Sequence, residues 1–180
     1  ERIPMRPTLH VRLLTVSDWE AFCPLRLEGL EAHPEAFGTS AQSWREGTRE
    51  KTEAVLRDSE GPGDDFVLGA FEDDALLGVL GFRRETKEKI DHKGTLWGFY
   101  VRHASQGRGV GTTLLKAALE RLRAIEGLAY ARLIVSTANE AAVNLFSVHG
   151  FERYGLEEGG IHASGRVWDQ AYMKSGVLSP

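Results

Sequence analysis

Between Val101 and Thr113 the chain reads VRHASQGRGVGTT, with glycine at 107, 109 and 111. Glycine is entropically costly in ordered backbone, so three in five residues ahead of a helix-like run need a reason. A helix N-terminus leaves its first amide N–H groups without intrahelical partners and carries a partial positive charge. Placed after a strand and a glycine-rich loop, it lets a phosphate approach the backbone closely. Arg108 adds a cation, and Thr112 and Thr113 add hydroxyl donors. Two stricter patterns are excluded. A Walker A loop needs Lys then Ser or Thr after its final glycine, whereas Thr112 follows Gly111 directly. The dinucleotide fingerprint G-x-G-x-x-G fails at Thr112, and it belongs after the first strand of its unit, not deep in the chain. A phosphate-bearing ligand of another kind is expected; a tight turn alone is the bland alternative.

Other chemistry-bearing residues have simpler readings. Cys23, the single cysteine, lies on an amphipathic run and reads as a small core residue. The six histidines show no metal-ligand spacing, so no metal site is expected. The net charge of −4 gives no basic footprint for nucleic acid. No run is long and apolar enough for a membrane span, and the start lacks a signal-peptide core. A cytoplasmic location is the default expectation.

The elements that must position the glycine loop follow from periodicity. Thr8–Leu14 alternates as a strand. Ser17 and Glu20 stand in capping-box spacing before a helix interrupted early by Pro24 and ended near Pro34. Thr39 and Gln42 open a polar helix through about Arg57, with Trp44, Val55 and Leu56 as a sparse apolar face. Phe66–Phe71 and Ala75–Glu85 read as a hairpin, and Thr95–Val101 as a further strand. Leu114, Leu115, Ala118, Leu119, Leu122 and Ile125 recur at helical spacing after the glycines. Tyr130–Ser136 is a buried strand, Thr137 and Glu140 space a third capping box, and the helix stops at Gly150. FERYGL and Arg166–Lys174 close the chain as strands around a glycine-rich loop. The 180 residues form one domain, with its core about 9–174, of layered α/β class with a mixed sheet.

With both halves in view, the sequence resembles the GNAT family of N-acetyltransferases. Its signature Q/R-x-x-G-x-G/A is matched by Gln106, Gly109 and Gly111. A second pattern, N-x-x-A-x-x-L-Y-x-x-x-G-F, is matched by Asn139, Ala142, Leu145, Gly150 and Phe151, with Phe146 where the family usually has tyrosine. The loop HPEAFGTS (His33–Ser40) is similar to the family's acceptor-side loop. The resemblance implies a mostly antiparallel mixed sheet with helices on both faces. It implies acetyl-CoA as co-substrate, an amine-bearing acceptor, and possible homodimers. By resemblance the pyrophosphate sits on the amides from Gln106 through Gly107, Arg108, Gly109, Val110 and Gly111 to Thr112. The pantetheine arm then runs along Phe99, Tyr100 and Val101, with the Val101 N–H as oxyanion donor and Asn139 and Phe146 lining the other side.

The implied reaction is attack of a primary amine on the thioester. Phe146 cannot donate a proton to the departing thiolate, so water, another group or no acid takes that part; Tyr100 and His149 are the side-chain candidates, with Tyr154 behind them. No carboxylate lies within Thr95–Val101; Glu85 could act through water, and no base is assigned. The acceptor pocket is expected from His33–Ser40 and Gly155–Gly165, with Trp97, Trp168, Glu157 and Glu158 as further candidates. The alternative reading is a non-catalytic acyl-CoA-binding module on the same fold, which Phe146 and the missing carboxylate favour.

Overall fold

Strands rich in apolar residues on both faces demand cover from both sides, and the two central ones set the architecture. In the computed structural model, which describes residues 8–178, Phe66–Glu72 (β2) and Ala75–Arg84 (β3) form a hairpin buried along most of its length. Leu9–Leu13 (β1) pairs outside β2, and Lys93–Val101 (β4) outside β3. Tyr130–Ser136 (β5), Phe151–Ala163 (β6) and Arg166–Ser175 (β7) complete a seven-stranded sheet in the order β1-β2-β3-β4-β5-β7-β6. Every neighbouring pair is antiparallel except β4–β5. The mixed, mostly antiparallel sheet expected from the sequence is thus present.

Two apolar layers sandwich it. On one face lie Val110–Arg123 (α4) and Glu140–Val148 (α5), with Leu114, Leu115, Ala118 and Leu122 fully buried. Burying each leucine contributes roughly 1.5–3 kcal/mol. On the other face lie Trp19–Ala32 (α1), Ala41–Glu46 (α2) and Arg49–Glu60 (α3), around Phe22, Leu25, Leu56 and Tyr100. No helix among the described residues is long and apolar enough to cross a membrane.

Local chemistry corrects several sequence expectations. The reciprocal turn before α1 uses Asp18, whose Oδ2 accepts from the Thr15 N–H at 2.9 Å, rather than Ser17 and Glu20. Helix α1 runs through Pro24: the ring is exposed, and the buried Phe22, Leu25 and Leu30 hold the turn despite one missing hydrogen bond. The polar helix is two helices, broken at Gly47, because Ser40 and Thr48 each cap a separate start. At α5 the cap is Asn139, whose Oδ1 accepts from the Ala142 N–H at 3.1 Å, while Thr137 bonds to the Asp169 backbone. The glycine-rich closing segment is strand: β6 and β7 form a long hairpin whose register shifts absorb Gly159 and Gly160.

Candidate active site

The parallel pair β4–β5 is the sheet's discontinuity. Only Lys93–Thr95 pair with Tyr130–Arg132. Beyond Thr95, β4 keeps β3 on one side and has no β5 partner on the other, so the sheet opens as a wedge. Within the wedge β4 carries a bulge, because Val79 faces Tyr100 while Gly81 faces Trp97. Gly98 absorbs the extra residue at φ +66°, a conformation that other residues rarely adopt. The bulge switches side-chain parity. Trp97 and Tyr100 both join the α1 layer, and Leu96, Phe99 and Val101 face α4 and α5.

The same register orients the end of β4. The Arg102 N–H donates to the Leu77 carbonyl at 2.7 Å, which makes Gly78–Val101 a non-hydrogen-bonded pair. The backbone groups of Val101 therefore point into the wedge. Its carbonyl is taken by Gln106 Nε2 at 3.0 Å, leaving the N–H facing the opening.

From six residues after Val101, the glycines do two different jobs. Gly107 and Gly109 have φ of +73° and +83°, and a Cβ at either would meet nothing within 4 Å. Their need is conformational, and the space beside them is open. Gly111 is a packing glycine: a Cβ there would lie 3.0 Å from Phe99 Cζ. Gly109 is the N-cap of α4 and brings no side chain to its first-turn amides. The Thr113 hydroxyl turns back to the Gly109 carbonyl at 2.9 Å, so only Thr112 of the threonine pair lines the opening.

A cleft of about 440 Å³ results, bounded by Phe99, Tyr100 and Val101, by Gln106, Gly107 and Gly109–Thr112, and by Asn139, Ala142 and Leu145 across the wedge. His33 and Phe37 close its far side. A narrower cavity of about 70 Å³ continues along Trp97–Phe99 against Leu133–Ser136, and Phe146 lines it. A third, of about 590 Å³, lies where Leu30–Ala41 meets Gly160–Ser164, bringing together the two segments expected to form an acceptor pocket.

The remaining candidates fall outside the cleft or have other partners. Arg108 is half-exposed and ion-paired with Glu72. Phe146 is buried, edge-to-face with Phe99 and Phe151 at centroid distances of 5.4 and 5.5 Å. His149 closes the last turn of α5 with Nδ1 2.8 Å from the Leu145 carbonyl, and lines none of the three cavities. Glu85 is at the opposite end of β3 and accepts from Arg132 at 2.7 Å. Trp168 donates to the Ala163 carbonyl at 3.2 Å, and Glu157 accepts from the Tyr172 hydroxyl. Tyr154 is exposed on β6.

Tyr100 is the most constrained polar group on the wall. Its ring packs on Gly29, where a Cβ would come within 2.9 Å of Cγ. Its hydroxyl donates to Glu28 Oε1 at 3.0 Å, and Arg102 Nη1 donates to Glu28 Oε2 at 2.9 Å. Burial, then the Glu28 carboxylate, pushes the phenol up to about 12. Two neighbours stand beside it, one from the loop expected to form the acceptor pocket and one that the sequence reading missed. His33 lies beside the Tyr100 ring, with Nδ1 3.4 Å from Glu35 Oε1. Arg26 sits on the buried stripe of α1, and its signal was a charge at a helical position between Phe22 and Leu30. No group of His, Cys, Asp and Glu among the described residues is arranged to hold a metal ion.

The profile of the acetyltransferase (GNAT) family matches residues 27–151. Among solved structures, a GNAT-family acetyltransferase from Streptococcus pneumoniae superposes with a TM-score of 0.83 at 24% identity, over 93% of this chain and 98% of that one. The yncA protein of Salmonella typhimurium, solved with its cofactor acetyl-CoA, gives 0.82 at 19% identity, over 94% of each chain. The ribosomal-protein-alanine N-acetyltransferase of Brucella melitensis gives 0.76 at 22% identity, over 92% and 98%. At these identities the structures are alike in fold. A comparison with curated protein sequences gave no match.

Proposed function

The chain belongs to the GNAT family of acetyltransferases, and from that premise we propose that it transfers the acetyl group of acetyl-CoA to a primary amine. The observation that carries this reading is the wedge beside β4 that runs into the glycine-flanked start of α4. The donor's shape fits what is there. Open space at Gly107 and Gly109 and uncapped first-turn amides suit a diphosphate. An unpaired strand edge suits an amide-bearing arm that adds like a strand.

On this reading the amides from Gln106 to Thr112 hold the pyrophosphate, and the backbone of Phe99–Val101 aligns the arm. Arg108 contributes charge once it leaves Glu72, at a cost of about 0–1 kcal/mol for an exposed pair. Asn139 and Leu145 line the other wall, and Phe146 supports Phe99 from behind. Acetyl-CoA, when bound, supplies an activated acyl group open to direct attack by an amine. The Val101 N–H, pre-aimed into the wedge, donates to the developing oxyanion. His33, with Glu35 behind its imidazole, takes the amine proton. Tyr100 positions rather than protonates: a phenol at about 12 is a poor acid toward a thiolate resembling Cys, at about 8.5. The thiolate leaves without a side-chain proton.

The test is thiol release from acetyl-CoA across a panel of primary amines, with the N-acetyl product identified by mass. His33→Ala should lower kcat by about 10²-fold near neutral pH. Binding of acetyl-CoA without release by any amine would overturn transfer. It would support the second reading, an acyl-CoA-binding module, which the apolar Phe146 favours. Phe146→Tyr sharpens the choice, since faster turnover would show that a missing acid limits the reaction.

A further inference from the structure

Arg26 is the least satisfied charge in the described structure. Its Nη1 is buried and has no hydrogen-bond partner. The guanidinium lies under the Phe37 ring, 4.6 Å from its centroid, and 5.9 Å from that of Trp44. On its other side is the β4 bulge, where a Cβ at Gly98 would stand 3.5 Å from Nη1. Burial pushes its pKa down to about 10, with no neighbouring acid working against the shift. The two other buried side-chain atoms without partners are also donors, Trp44 Nε1 and Trp97 Nε1. Of these, Trp44 lies beside this guanidinium, whereas the Trp97 indole packs over Gly81.

Buried donors without acceptors are expensive, and a buried guanidinium N–H beside the Trp44 indole with no acceptor points to one supplied from outside. The acceptor must be anionic, because one donor is a cation, and small, because the adjoining cavity along Trp97–Phe99 is about 70 Å³. A monoanion cancels the single guanidinium; a dianion would leave net charge among apolar walls. The location gives the connection to the reaction. Gly98 is three residues from Val101, and Phe37 lines the cleft, the narrow cavity and the third cavity alike.

We propose that Arg26, with Trp44 beside it and Phe37 over it, is a carboxylate-recognition pocket, and that the acceptor is a small amine carrying a carboxylate a few atoms from its nitrogen. The proposal rests on the acetyltransferase reading and specifies its acceptor. Rotation of the Phe37 ring opens the guanidinium to the cavity, the carboxylate takes the place of that ring, and the amine reaches toward Val101. A lysine side chain within a protein lacks the carboxylate and is a poor acceptor.

The test compares α-, β- and γ-amino acids with their methyl esters, in the wild type and in Arg26→Met. Thiol release and a saturable change in tryptophan fluorescence with CoA present are both measured. The ratio of acid to ester kcat/KM, compared between the two enzymes, cancels the differing basicity of the amines. That ratio should fall by about 10–100-fold in Arg26→Met, the worth of one charge-assisted contact. Acetyl-CoA affinity should be unchanged and the thermal midpoint equal or higher, since a partnerless buried charge is removed. An equal ratio in both enzymes, or no fluorescence response to any acid, would overturn the pocket. So would a thermal midpoint several degrees lower, because the fold itself would then be satisfying Arg26. Turnover of acids and esters alike in both enzymes would leave acetyl transfer standing and remove only the pocket. Acid binding without thiol release would do the reverse.

Discussion

Around the start of α4 the cleft wall is backbone: the amides after Gly107, the uncapped first turn, and the edge of β4 at Val101. Across the wedge, between α1, α2 and the tip of the β6–β7 hairpin, it is side chains: His33, Phe37 and Tyr100, with Arg26 under the Phe37 ring and near Trp44. Backbone recognition is stiff and depends on a few φ angles. Side-chain recognition depends on packing from three separate elements, so single substitutions should alter selectivity more than stability.

The largest expected effect is on the α4–α5 side. Phe146→Ala removes a buried ring held between Phe99 and Phe151 and should cost about 3–5 kcal/mol in denaturant unfolding. Across the wedge the half-buried Phe37→Ala should cost roughly 1–2 kcal/mol. Equal losses would break the contrast. Next, Gly109→Ala forces a side chain into φ +83° and should cost about 1–2 kcal/mol. It should also raise the acetyl-CoA Kd while leaving the KM of the amine unchanged. Smaller still, Gln106→Ala frees the Val101 carbonyl and should cost about 0.5–1.5 kcal/mol.

The smallest change is confined to alkaline pH. The Tyr100 phenol is raised to about 12 in the fold from 10.0, so its contribution to stability is complete below pH 10. It is lost as pH rises through 12, because the folded state then holds a proton that the unfolded chain has released. Tyr100→Phe should flatten that part of the stability-versus-pH curve, and an unchanged slope would remove Tyr100 from the account.

The same contrast explains what was legible in the sequence. Gln106, Gly109 and Gly111 stand at fixed spacing because backbone geometry within one strand–loop–helix unit requires it, and Asn139 caps the helix of the next such unit. The cleft they line could therefore be read before the fold was known. Phe146 was legible as a substitution, but not as the ring that buttresses Phe99. The bulge at Gly98 was hidden, because an alternating pattern with one inserted residue still reads as a strand. The capping residues were misplaced by one or two positions wherever several Ser, Thr, Asn and Asp competed, as at Thr15–Asp18. Arg26, Phe37 and Trp44 come from α1, the loop after it and α2, and no local spacing records that they meet.

The three rungs between Lys93–Thr95 and Tyr130–Arg132 have a further consequence. They are the only ladder joining a four-stranded half-sheet to a three-stranded one among the described residues, so the sheet is two plates sharing a short hinge line. Amide protons on β2 and β3, locked on both sides, should exchange with solvent slowly. The Val101 amide, locked on neither, should exchange quickly in the free protein and slow once an arm is laid along the wedge. A deuterium-exchange map would then show the two plates as separate protected blocks, and donor binding as the event that joins them.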